Sequence, residues 1–288
     1  MKWDDQPESE NVEDRRGFGG KTGLALGGLG GVIVLILALV FGVDPQQLAG
    51  LVGPAQGPGA GQPNGQVAPA DPQEEKLAHF TKVIFHDTEE VWDDVFHRMG
   101  KQYEKPTLVL FTGQVESACG TADAAVGPFY CPGDAKVYID LAFYSDMQRK
   151  LNAPGEFARA YVVAHEVGHH VQKLLGFSRQ VDEARRAHRD EHKMSVRLEL
   201  QADFLAGIWA YYGQKKFNFL EQGDMESALN AAFQIGDDRL QKKARGYVVP
   251  DTFTHGTSKQ RMRWFKAGFD KGDVAQAEQL FKLDYDDL

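Results

Sequence analysis

ARAYVVAHEVGHHVQKLLG (158–176) and SVRLELQADFLAGIWAYY (195–212) are the two stretches on which both the fold and the chemistry turn. Each reads as a helix that is apolar on most of its surface. The first contains His165-Glu166-Val167-Gly168-His169. Imidazoles four residues apart share one helical face and can reach a single cation. Glu166 sits one residue further round, where it can act as general base toward water rather than as a ligand. Val162, Val163, Ala164, Val167 and Val171 predict burial of the remaining faces. Gly168 costs about 1 kcal/mol in a helix, which predicts close approach of a backbone or a substrate at that point.

A motif this short also arises by chance, so a third ligand decides its meaning. One known extension of the motif needs Gly three residues and His six residues after the second His; Gln172 and Leu175 occupy those positions and exclude it. The second helix offers Glu199 and Asp203, also four apart on one face. Two carboxylates in an apolar stretch repel unless positive charge lies beside them. One resolution makes Glu199 the third ligand of a zinc ion and lets Asp203 hold a ligand imidazole. The plainer alternative pairs the two carboxylates with Arg197 or another base.

The 288 residues are 42% hydrophobic and carry a formal net charge of −9. These values exclude a disordered acidic chain and a polytopic membrane protein, and the negative balance argues against nucleic acid as a partner. The averages conceal an uneven distribution. Thr22 to Val43 contains no charged residue, and its 22 positions predict one transmembrane helix. Lys2, Arg15, Arg16 and Lys21 precede it, which predicts a cytoplasmic tail over 1–21 and an extracytoplasmic remainder. The expected localisation is therefore single-pass in a bacterial inner membrane, with the large domain periplasmic. Gly23, Gly27 and Gly31 offer a face for self-association of that helix. Residues 44–73 hold half of the chain's 12 prolines and six glycines, the composition of a flexible tether.

From 74 to 288 the pattern is that of a folded domain. Residues 74–100 predict two helices, with Asp87 and Thr88 as caps between them. TLVLF (107–111) and KVYID (136–140) predict strands, the second being a candidate edge for a bound peptide. Cys119 and Cys131 lie between them, and in an exported domain two such cysteines predict one disulfide. It would contribute about 3 kcal/mol by loop entropy.

With these motifs in hand, the chain resembles the "putative neutral zinc metallopeptidase" family of bacteria. The resemblance rests on CGTADAAVGPFYCPGDAKVYIDLAFY (119–144), AHEVGHHVQ (164–172), ELQADFLAG (199–207) and DTFTHGTSKQRMRWFKAGF (251–269). It implies a zincin-like α+β domain, mainly helical with a small sheet. It also implies one Zn2+ held by His165, His169 and Glu199, Glu166 as general base, and a peptide or protein substrate. The E-x-x-x-D pattern followed by a Thr-His segment is similar, more distantly, to the membrane-associated prenyl-protein proteases.

His255, just before a helix marked by the Thr257/Gln260 capping pair, is the candidate donor to an oxyanion; Tyr138 and Tyr247 are alternatives. His170 points off the ligand face. Arg261 and Arg263, next to Trp264 and Phe265, read as snorkelling arginines on a core helix. The acidic end 284–288 reads as solvated. The competing function is a zinc-containing binding or chaperone-like envelope protein that does not need Glu166; a structural protein without metal is the third.

Overall fold

Leu108, Leu110, Val137 and Ile139 lie on one face of a small sheet and join the main core, while Val109, Phe111 and Tyr138 lie on the other. Both faces are covered, which is why TLVLF shows no polar alternation. The computed structural model describes residues 1–17, 71–123 and 126–288. Its strands are β1 (Val12–Asp14), β2 (Thr107–Phe111), β3 (Gln114–Ser117), β4 (Gly120–Asp123), β5 (Phe129–Cys131) and β6 (Lys136–Asp140). The four-stranded sheet has the order β1-β2-β6-β5, with β1 and β6 parallel to β2 and β5 antiparallel to β6. The β3-β4 hairpin is a separate ribbon whose Val115 closes over the second face. Cys131 packs in that cluster and is disulfide-bonded to Cys119, with Cα atoms 5.8 Å apart.

The helices are α1 (Pro72–Arg98), α2 (Ala142–Arg149), α3 (Glu156–Leu175), α4 (Ser178–Arg186), α5 (Glu191–Phe217), α6 (Asp224–Gln234), α7 (Asp237–Arg245) and α8 (Ser258–Lys271). The bulk of the domain is thus helical, as the resemblance implied. α3 and α5 pack along one another in the core, and α8 crosses α5 at two facing glycines. A Cβ on Gly207 would stand 2.0 Å from the Phe265 carbonyl oxygen, and one on Gly268 would stand 2.0 Å from that of Phe204. No larger residue permits that approach.

Three expectations are corrected. The two helices of 74–100 are one, because Asp87 and Thr88 are fully buried within α1 and Thr88 returns its hydroxyl to the Phe85 carbonyl. Residues 1–17 are not a tail apart from the fold. Trp3 is buried against Phe80 and His79, with ring centroids 5.1 and 5.4 Å away. The buried Glu89 accepts bonds from Ser9 and Asn11, at 3.1 and 2.7 Å. Asn11 also accepts from Leu108 N, and Arg15 N donates to Leu110 O.

The third correction is the single membrane-crossing helix ahead of the domain. Among the described residues no helix is long and apolar enough to cross a membrane. Residues 22–43, on which that expectation and that of self-association rested, lie outside the described residues, as does all of the expected tether except its last three positions. Pro72 and Gln73 open α1, capped by Asp71. One crossing between Gly17 and Asp71 would put two hydrogen-bonded parts of the chain on opposite sides of a hydrocarbon layer about 30 Å thick. The acidic end is also tied down, with Leu288 buried.

Two predictions follow from the packing. Trp3→Ala should cost about 3–5 kcal/mol, read as a lowered thermal midpoint; an unchanged midpoint would show that residues 1–17 do not dock. Asp87 is buried with no hydrogen-bond partner for either oxygen, and burial followed by the nearby Glu90 charge pushes its pKa from 3.8 up to about 8. Between those values it is protonated when folded and ionised when unfolded, so its contribution to stability falls as pH rises. Asp87→Asn should flatten that decline, measured as denaturation midpoints from pH 4 to pH 8, and identical slopes would refute the assignment.

Candidate metal centre

α3 brings His165 and His169 to one face because they lie one turn apart, and the Gly168 backbone between them meets α5. A Cβ there would stand 3.0 Å from the Ala202 carbonyl oxygen, so a backbone approach accounts for this glycine. That contact sets Glu199 opposite both imidazoles. His165 Nε2 is 3.2 Å from Glu199 Oε2, and His169 Nε2 is 3.6 Å from Oε1. One donor atom from each of the three residues lies within 4.8 Å of the others.

The remaining imidazole nitrogens are already committed. His165 Nδ1 donates to Asp203 Oδ1 at 2.9 Å, and His169 Nδ1 to Gln172 Oε1 at 2.9 Å. Gln172 in turn donates to the Leu198 carbonyl on α5 at 2.6 Å. Each ring therefore turns Nε2 toward Glu199, with its tautomer fixed by an acceptor behind it, the arrangement that metal-ligating histidines require. Two imidazole nitrogens and one carboxylate form a donor set suited to zinc, with room for a fourth position. Burial opposes the charge of Glu199, yet His169, His255 and the bonds from both ligand imidazoles hold its carboxyl well below the usual range. Burial also opposes a proton on His165, but Asp203 and then Glu199 raise its pKa to about 9. A cation and a proton thus compete for this site.

Behind the imidazoles, Asp203 has a partner that the sequence did not reveal. Asp203 is fully buried, and Arg261 from α8 grips it through two bonds, Nε to Oδ2 at 2.8 Å and Nη2 to Oδ1 at 2.9 Å. Tyr161 also donates to Asp203. Arg261 is 2% exposed, so it is not a snorkelling arginine as its aromatic and basic neighbours suggested. Arg197, the alternative partner for the carboxylates, instead donates to the carbonyls of Leu280 and Leu283.

Glu166 lines the same cleft, and burial pushes its carboxyl above its ordinary value against the pull of the two imidazoles. His255 lines it as well. The residue that places His255 was also missed: Asp237 accepts the backbone N–H groups of Thr254, His255 and Gly256 at 2.6–3.0 Å and faces His255 Nδ1 at 3.2 Å. The Thr257/Gln260 capping box is present at the start of α8. Tyr138 donates to Asp134 and, like Tyr247, does not line the cleft, so neither competes with His255. KVYID is not an edge either, because β6 lies between β2 and β5; the edge strand beside the cleft is β5. His170 is buried between the Glu104 carbonyl, 2.6 Å from Nε2, and the Tyr130 hydroxyl, 2.9 Å from Nδ1.

The profile of the "Putative neutral zinc metallopeptidase" family matches residues 1–280. "Uncharacterized protein YpfJ" of Escherichia coli strain K12 is 48% identical over 295 aligned positions, covering 98% of this chain and 99% of the relative. "Uncharacterized protein Rv2575" of Mycobacterium tuberculosis strain H37Rv is 41% identical over 191 positions, covering 63% of this chain and 64% of the relative. No solved structure matches.

Removing the support should weaken metal binding without touching a ligand. Asp203→Asn or Arg261→Gln is expected to lower zinc affinity about 10–100-fold, measured by competition with a chromogenic chelator in the folded protein. Wild-type affinity in both variants would show that the Asp203–Arg261 pair does not orient His165.

Proposed function

The chain belongs to the "Putative neutral zinc metallopeptidase" family, and from that premise we propose that it hydrolyses peptide bonds with Glu166 as general base and His255 as donor to the oxyanion. The observation that carries the proposal is the convergence of His165 Nε2, His169 Nε2 and the Glu199 carboxylate beside Glu166, in a cavity of about 780 Å³. Zinc held by those three residues supplies Lewis-acid polarisation of water and of the scissile carbonyl.

The other roles fall to the chain's own residues. Glu166 takes a proton from water as the new carbon–oxygen bond forms. It passes that proton to the nitrogen as the carbon–nitrogen bond breaks. Its burial raises its proton affinity, which suits a group that must both accept and return a proton. His255, tethered at Nδ1 by Asp237, keeps Nε2 for the developing oxyanion. Half-exposed in the cleft, it loses part of its hydration, which disfavours its protonation, but Glu199 and Asp237 together raise its pKa and favour the donating form. β5 offers an edge along which an extended peptide can pair.

This reading places the domain in an oxidising, extracytoplasmic compartment, supported by the Cys119–Cys131 disulfide. Glu166→Gln is expected to retain one zinc per chain and lose peptide hydrolysis by about 10²–10⁴-fold. Metal content and cleavage of a peptide library measure the two quantities. Equal cleavage by variant and wild type would refute the role of Glu166, and no cleavage by the zinc-loaded wild type would refute the peptidase assignment.

A further inference from the structure

The cleft has two chemically different ends, and α3 gives them an order. Val162 and Lys173 both line it, separated by eleven residues or about 16 Å of helix, with the metal-binding face between them. That length matches about five residues of extended peptide. Residues 130–132 run alongside α3 in the same direction. Gly127 lies against Phe143, Tyr130 meets His170, and Lys173 Nζ donates to the Pro132 carbonyl at 2.6 Å.

Away from Lys173 the lining is apolar: Val126 precedes Tyr130 in the chain, Phe143 packs on Gly127, and the Ile235 carbonyl accepts from Arg261, which also donates to Tyr161 beside Val162. Val126 is one of the few large apolar side chains exposed in the described residues, at 44%. At the Lys173 end the wall is α4, which turns Arg179 and Arg185 to the cleft against the single carboxylate of Asp182. Both arginines are exposed, and a chain with a formal charge of −9 thus presents net positive charge at one end of this cleft.

β5 runs toward the C-terminal end of α3, and antiparallel pairing is the stronger mode for an added strand. A peptide pairing that way has its N-terminal part beside α4 and its C-terminal part beside Val162. Resting on the peptidase reading above, we infer that the cleft selects extended peptides with a carboxylate on the N-terminal side of the scissile bond, held by Arg179 and Arg185, and an apolar side chain on the C-terminal side. The carboxylate belongs to an internal Asp or Glu rather than to a free C-terminus, because the strand direction carries the C-terminus away from α4.

The test reads binding rather than turnover. Fluorescence anisotropy on the zinc-loaded, full-length Glu166→Gln protein compares amidated seven-residue peptides. The Glu-before, Leu-after peptide should bind about tenfold tighter than its Lys-before counterpart at low salt, with the difference shrinking at high salt. It should also bind about tenfold tighter than its Ala-after counterpart. A peptide with Leu before and Glu after should bind no better than the Lys-before peptide, and one with a free C-terminal carboxylate but no Glu should gain nothing. Adding Arg179→Gln and Arg185→Gln should abolish the Glu-over-Lys preference and spare the Leu-over-Ala preference; Arg179→Glu with Arg185→Glu should invert the former.

Equal binding of the Glu and Lys peptides, or a preference that survives both arginine variants, overturns the inference. So does a gain from the free C-terminus. Wild type that cleaves peptides without this preference defeats the inference and leaves the peptidase reading intact. Wild type that cleaves nothing, while the Glu166→Gln protein binds with the stated preference, defeats the peptidase reading and leaves the zoned cleft standing.

Discussion

The carboxylate of Asp203 is the constraint around which this molecule is arranged. It is wholly buried in α5, and a buried charge without partners is costly enough to unfold a domain. Three partners answer it: the Arg261 guanidinium from α8, the Tyr161 hydroxyl from α3, and the His165 imidazole one turn further along α3. Those helices can reach it only because they touch backbone to backbone at Gly168, Gly207 and Gly268. The tight crossing and the buried ion pair therefore require each other. Their common product is an imidazole whose free nitrogen faces Glu199.

The same logic recurs at the rim of the site. Asp237 gathers three consecutive backbone N–H groups and so fixes the turn that presents His255. Gln172 bridges from His169 to the α5 backbone, which couples the second imidazole to the helix that carries Glu199. Both imidazoles of the candidate metal set are held from behind by a group that touches a different element. Positioning of the imidazoles is thus a property of the packed helices, and only His255 depends on a turn.

Much of this was legible in the sequence, and what escaped had physical reasons. His165, Glu166, His169, Glu199 and Asp203 were visible because helical periodicity alone puts residues four apart on one face. The strands 107–111 and 136–140, the capping pair at 257 and 260, and the disulfide are local patterns of the same kind. Arg261 was not visible, since an arginine among Arg263, Trp264 and Phe265 reads as surface until its face is known. The available signal was spacing: it lies four residues before Phe265 and seven before Gly268, all on the buried side of α8. Asp237 acts across eighteen residues of chain, and nothing in its own neighbourhood marks it. β1 is three residues long and paired to a strand almost a hundred positions away, so the docking of residues 1–17 is a tertiary fact with no local signature. Hydropathy and flanking charge at 22–43 pointed to a single crossing, but they carry no information about where residues 1–17 dock.

His165, His169 and Glu199 are expected to hold one zinc ion, with Asp203 behind His165 rather than on the metal. An anomalous difference map recorded at the zinc absorption edge on crystals of the zinc-loaded chain tests it directly. One peak is predicted, about 2.0–2.2 Å from His165 Nε2, His169 Nε2 and a Glu199 oxygen. A peak ligated by Asp203 in place of Glu199, or no peak between α3 and α5, would contradict it.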